Sequence, residues 1–145
     1  MTAPLAGKTI LMSGGSRGIG LAIALRAAAD GANIALLAKT DVPDPRLPGT
    51  IHTAAEEIRA AGGNALAIVG DVRNDDDITE AVMKTQGEFG GIDIVVNNAS
   101  VLSLAGSLDL DAKRYDLMQD VNVRGTFMLS RAAIPILRDA ANPHI

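Results

Sequence analysis

An α/β domain is predicted, a parallel sheet covered by helices on both faces. Three observations carry that expectation. Short apolar runs alternate with helical stretches along the chain, the pattern of repeated βαβ units. One of those runs, 33–38, is continuous rather than alternating, as a strand buried on both faces is. Apolar residues make up 48% of the chain but aromatics only 2%. The core is therefore built from Ala, Val, Ile and Leu, which pack closely between helices and a sheet.

The elements follow in order. Residues 8–12 read as a first strand opening at Gly7. Gly14, Gly18 and Gly20 then make a turn of spacing G-x-x-x-G-x-G before a helix over 18–30, with Ile19, Ala22, Ile23 and Leu25 expected against the sheet and Gly31 stopping it. A second strand spans 33–38. Pro43, Pro45 and Pro48 make 39–49 a loop. A helix over 50–61 ends at Gly62-Gly63, a third strand covers 64–69, and Gly70-Asp71-Val72 closes it. A helix over 75–89 carries acidic residues in its first turn, where the helix dipole favours them. The fourth strand is 92–97. A looser segment, 99–110, leads to helices over 112–119 and 121–139, the second bent or ended by Pro135. Residues 142–145 look like the approach to a fifth strand. The whole, 1–145, reads as one partial domain of the doubly wound, Rossmann type, its C-terminal part missing.

The glycine turn is the most informative stretch. Glycine lacks a Cβ and tolerates positive φ, so a backbone there can pass close to a pyrophosphate. The helix behind it aims free N–H groups and a positive dipole end at the same point. A dinucleotide site near the N-terminus is the expectation, with Ser13, Gly14, Ser16, Gly18, Ile19 and Gly20 lining it. Ser16 could instead serve as a helix N-cap.

Other function classes fall away. Net charge is −4 with no basic run, which argues against a nucleic-acid surface. There is no cysteine, which excludes disulfides and thiolate metal sites. No apolar run approaches the length of a membrane span, and no secretory leader is seen, so a cytoplasmic protein is expected. His52 and His144 lack partners at metal-ligand spacing, and no metal site is expected. Tyr115 is expected to pack along its helix, with Lys113 and Arg114 on a solvated face.

Four motifs in order resemble the short-chain dehydrogenase/reductase family over 8–145: Ser13-Gly14-x-x-x-Gly18-x-Gly20, Asp71-Val72, Asn97-Asn98-Ala99-Ser100, and Asp120-Val121-Asn122-Val123-Arg124-Gly125. Ser13 stands where that family has Thr, and Ser100 where it has Gly. The Ala38-Lys39-Thr40 step, the proline-rich loop and Gly49-Thr50-Ile51 resemble its hydroxysteroid dehydrogenase-like branch, whose substrates are thought to be lipid-like. The resemblance implies a nicotinamide cofactor and an alcohol or ketone as small-molecule substrate. It also implies a homo-oligomer with the last helix at the subunit interface.

It further implies roles. Asp71 accepts from the adenine amino group and the Val72 backbone donates. Asn98 and Ala99, with Ser100 beside them, touch the ribose side, and Asn97 ties strands together. Asn122 bends its helix and holds a water on the proton path to an active-site lysine. As plain structure, Asp71 is a turn former, the paired amides satisfy loop backbone, and Asn122 faces solvent. An acidic side chain after the second strand marks NAD sites. Here Lys39 stands there, and Arg17 matches a second basic position of NADP users, so NADP is favoured. NAD stays possible because Asp41 is close enough to be that acid; the cations could also be ordinary surface charge.

One departure is large. The family's chemistry needs a Ser and a Tyr-x-x-x-Lys pair, and the sole tyrosine, Tyr115, has Gln119 four residues on. Those groups lie beyond the fifth strand in the family, so the chain reads as a truncation, inactive alone. The alternative is a non-catalytic dinucleotide-binding or redox-sensing module.

Overall fold

The structure, a computed structural model, describes residues 3–145. The chain runs β1 (Thr9–Ser13), α1 (Gly18–Ala29), β2 (Asn33–Ala38), α2 (Ile51–Ala60), β3 (Asn64–Val69), α3 (Asp75–Phe89) and β4 (Ile94–Asn97). It continues into α4 (Ala112–Met118), a π-helical segment (Gln119–Gly125) and α5 (Thr126–Leu137). The four strands are parallel in the order β3-β2-β1-β4. The chain steps outward through β2 and β3, then returns to lay β4 on the far side of β1. That reversal between β1 and β4 is the switch point at which open α/β sheets bind ligands.

Alternation along β1 divides the core. Ile10 and Met12 face α1 and α2, packing with Ala24, Ala28, Ile51 and Ile58. Leu11 faces α3 and α5, packing with Ile78, Val82, Leu129 and Leu137. Each fully buried Leu or Ile stabilises the fold by about 2 kcal/mol before ordering costs. Register between β1 and β4 is pinned by Asp93. One of its carboxylate oxygens accepts from Lys8 Nζ at 3.0 Å and the other from the Thr9 N–H at 2.9 Å.

Most predicted elements stand within a residue or two, with three corrections. First, Ile19, Ala22 and Ile23 do not face the sheet. Ile19 is 76% exposed, and the buried face of α1 is Gly20, Ala24, Ala27 and Ala28. Small side chains let this helix lie close on the strands, so the larger Ile residues turn outward. Second, β4 begins at Ile94 rather than Ile92. Ile92 still packs in the core, but Asp93 is taken up by β1. Third, 112–119 and 121–139 are not two helices parted at Asp120. One helical path runs from Ala112 to Leu137 through the π segment. Pro135 sits inside α5, two residues before its end, where its missing N–H and its ring disfavour continuation.

The C-terminal residues meet the expectation of an approaching strand. His144 lies beside Ile94 in parallel, its N–H donating to the Asp93 carbonyl and its carbonyl accepting from the Val95 N–H, each at 3.0 Å.

Candidate functional site

Above the C-terminal ends of the strands lies a cleft of about 450 Å³. Its floor is the glycine turn. Gly14 has φ +73, and its N–H donates to the Leu37 carbonyl, tying the turn to β2. A Cβ on Gly14 would stand 2.8 Å from Ala99 Cα, and one on Gly20 would stand 2.5 Å from Asn98 Nδ2 and 2.7 Å from the Gly14 carbonyl oxygen. Gly18 is different: φ is +56 and nothing lies within 4 Å of where its Cβ would be. Two glycines thus allow backbones to close on one another, and the third leaves open space on the turn.

Among helices that start from a loop, α1 alone lacks a side-chain cap. Thr50, Asn74 and Asp111 cap α2, α3 and α4, while Arg17 at the head of α1 makes no capping bond. The first N–H groups of α1 are therefore left for water or an anion. This also removes the N-cap reading of Ser16. The cap position falls one residue later, and Ser16 is buried at the cleft wall instead.

Of the predicted site residues, Gly14, Ser16, Arg17, Ile19, Lys39, Asp71, Val72, Asn98, Ala99 and Ser100 line this one cleft. Ser13, Gly18, Gly20 and Asn122 do not. Ser13 works from beneath: its buried hydroxyl accepts from the backbone N–H groups of Asn98 (3.2 Å) and Ala99 (3.1 Å). The Asn98 side chain donates in turn to the Gly14 carbonyl at 2.8 Å. So β1 and β4 present their ends as one bonded unit. Leu37, Ala38, Thr40, Gly70, Val101, Leu117 and Val121 also line the cleft and were not foreseen. Ala38, Thr40, Gly70, Val101 and Val121 directly adjoin foreseen residues; Leu117 comes from a helix that carries no local signal.

Charge is arranged around the far end of the cleft. Arg17 Nη2 donates to Thr40 Oγ1 at 2.6 Å, while its Nε is buried with no partner among the described residues. A buried donor left unpaired is costly, and an acceptor in the cleft would relieve it. Lys39 Nζ lies 3.3 Å from Asp71. Asp41, the residue that could have served as a ribose-binding acid, is outside the cleft lining, with its carboxylate 2.6 Å from His52 Nε2 on α2.

Asp71 is gripped by the Arg73 guanidinium through both oxygens, the shortest contact 2.6 Å. That pairing, with Lys39 adding to it against the opposing effect of partial burial, holds its carboxyl down at about 2. A carboxyl with a lowered folded-state pKa stabilises the fold above its ordinary value of 3.8, and the contribution is lost as pH falls towards about 2. Urea midpoints measured from pH 4 down to pH 2 are expected to fall less steeply in Asp71→Asn than in the unmodified chain.

Asn122 sits in the π segment. Its amide nitrogen donates to the Val101 carbonyl and its amide oxygen accepts from the Val101 N–H, both at 2.9 Å. The residue is exposed, as the solvent-facing alternative has it, and its side chain at the same time holds the loop after β4. Asn122→Ala is expected to cost about 1 kcal/mol in urea unfolding, because water replaces both bonds. It should also make 99–110 more open to protease, a separate readout of the same anchor.

Fold, uncapped helix and glycine turn together define a Rossmann-type domain with a nucleotide-sized cleft at its switch point. The sequence profile of short chain dehydrogenases matches residues 8–145; the chain belongs to the short-chain dehydrogenase/reductase family. It is 56% identical over 144 residues to hydroxysteroid dehydrogenase-like protein 2 of Bos taurus, covering 99% of this chain and 34% of that protein. It is similar to the crystal structure of a short chain dehydrogenase from Mycobacterium thermoresistibile, with a TM-score of 0.95 and 58% identity over 97% of this chain and 50% of that one. It is also similar, at a TM-score of 0.81 and 32% identity, to an NADH-dependent reductase solved with NAD; that match covers 95% of this chain and 55% of the other. The chain thus spans about a third of the curated relative and half of the solved structures. The cofactor of this family is a nicotinamide dinucleotide. The open space at Gly18 and the uncapped N–H groups at the head of α1 suit the diphosphate of such a group.

Proposed function

We propose that this chain forms the cofactor-binding half of an NADP(H)-dependent oxidoreductase acting on an alcohol or ketone, with a lipid-like substrate. The observation that carries the NADP choice is Arg17, its buried Nε unpartnered among the described residues, lining the same cleft as Lys39 just after β2. Asp41, the competing acid, is occupied by His52. Two cations, beside a single lining carboxylate (Asp71) that Arg73 and Lys39 already neutralise, favour a 2′-phosphate over a 2′-hydroxyl. When bound, the cofactor supplies or accepts hydride at its nicotinamide. The residues of this chain bind and orient it: the glycine turn and α1 at the diphosphate, Asp71 and Val72 at the adenine, Asn98, Ala99 and Ser100 at the ribose. Asn122 holds a water on the proton path, and its side chain keeps the loop after β4 in place.

Tyr115 has no lysine four residues on, so the 145-residue chain by itself binds cofactor weakly at best and turns over nothing. A cytoplasmic homo-oligomer goes with this reading. Among the described residues no helix is long and apolar enough to cross a membrane. Exposed Val123, Phe127 and Ile134 along the π segment and α5 support a subunit contact there.

The test is thermal. Saturating NADPH is expected to raise the melting temperature of the chain, and NADH at the same concentration to raise it less. No rise with either removes the cofactor reading; an equal rise removes the preference for NADP. Turnover of a ketone by this chain would overturn its assignment as inactive alone.

A further inference from the structure

The π-helical segment touches both ends of the cleft. At one end Arg124 reaches the turn after β3: Nη1 donates to the Arg73 carbonyl at 3.1 Å, and Nη2 to Asp75 Oδ1 at 2.8 Å. Beside it Gly125 is buried against Val72. A Cβ there would stand 2.9 Å from Val72 Cγ2 and 3.3 Å from the Val72 carbonyl oxygen. At the other end Asn122 holds Val101 by two bonds. Val72 and Val101 both line the cleft, and so does Val121 of the same segment.

Seven residues thus fasten the turn that carries Asp71 and Val72 to the loop that follows Asn98, Ala99 and Ser100. The wider π turn is a costly backbone choice that persists where surroundings fix it. Here the surroundings are those two attachments, together with Thr126 Oγ1 donating to the Asn122 carbonyl at 2.8 Å.

We propose that Arg124 and Gly125 are positioning residues that clamp the π segment, and with it Asn122, onto the adenine-side turn, so that both halves of a bound dinucleotide are gripped by one rigid span. This rests on the cofactor reading above. Arg124 and Asp75 are both well exposed, and exposed ion pairs add little to global stability. The function of the contact is therefore local: it transmits order from the turn at 71–73 to the segment at 119–125.

Hydrogen exchange tests this with adenosine 2′,5′-bisphosphate, a ligand that fills the adenine side alone. In the unmodified chain, saturating ligand is expected to slow exchange of the amides over 119–125 by about fivefold, including those of 122–125, which do not line the cleft. In Arg124→Ala the slowing should drop below about twofold, while affinity for the ligand stays within about threefold and the melting temperature barely moves. Arg124→Lys keeps a charge for Asp75 but not the two-pronged reach, and should restore part of the effect. Gly125→Ala, which pushes the segment off Val72, should lose it as Arg124→Ala does. Equal slowing in the unmodified chain and Arg124→Ala overturns the proposal. So does binding to the unmodified chain with no slowing over 119–125. If the ligand does not bind the unmodified chain at all, the NADP reading fails and takes the clamp with it.

Discussion

Gly14→Ala is expected to destabilise the chain by about 3 kcal/mol, lowering its melting temperature by about 10 °C. Two separate effects add. The backbone at Gly14 is left-handed, with φ +73, which costs an L residue about 1 kcal/mol. The new methyl would also stand 2.8 Å from Ala99 Cα and 2.9 Å from its nitrogen, both backbone atoms that cannot swing aside. Relief requires the ends of β1 and β4 to part, breaking the bonds from Asn98 and Ala99 to Ser13. Gly18→Ala isolates the first effect. Its φ is +56 but the space is open, so about 1 kcal/mol is expected. Urea unfolding of the two variants decides the matter. Equal losses would mean that close approach of the two strand ends is not what Gly14 provides.

Arg17→Ala is expected to weaken NADPH binding about thirtyfold and to change NADH binding by less than about twofold. A charge-assisted bond to a phosphate stabilises by about 2 kcal/mol, and each 1.4 kcal/mol is tenfold in affinity. The geometry explains why the loss should be selective. The guanidinium is held over Thr40, at the end of β2, and not over the glycine turn where both dinucleotides would lie alike. Arg17→Lys should fall between, since an ammonium keeps the charge and loses the fork. Titration with each dinucleotide gives the answer directly. A matching loss for both would place Arg17 in the upkeep of the turn, and the 2′-phosphate would have to be recognised elsewhere.

Much of this architecture is legible in the chain because it is written in local periods. Buried runs such as 33–38, the glycine turn and the acidic start of α3 each declare their element within a few residues. The face of α1 was misread for a physical reason. Its apolar residues lie nearly all around it, and the small ones, not the isoleucines, set how near it can approach the strands. The π segment escaped notice because seven residues are too few to separate a wider helical period from 3.6. The pairings that shape the cleft carry no spacing signal at all. Arg17 with Thr40, Asp41 with His52 and Arg124 with the Arg73 carbonyl join residues 11 to 51 positions apart. Only the topology that brings the ends of β1, β2 and β3 together reveals them. Ten of the fourteen residues named from the motifs line one cleft.

The bond from Asn98 to the Gly14 carbonyl spans 84 positions. A contact that distant closes a long loop and is slow to form. The N-terminal strand, helix and glycines can assemble early with β2, yet the receptacle they outline has no far wall until β4 arrives. During synthesis, then, ligand competence cannot precede emergence of residue 99 from the ribosome. In refolding it should appear with the slowest step rather than with the early gain of helix, so the nucleotide itself serves as a reporter for the last act of assembly.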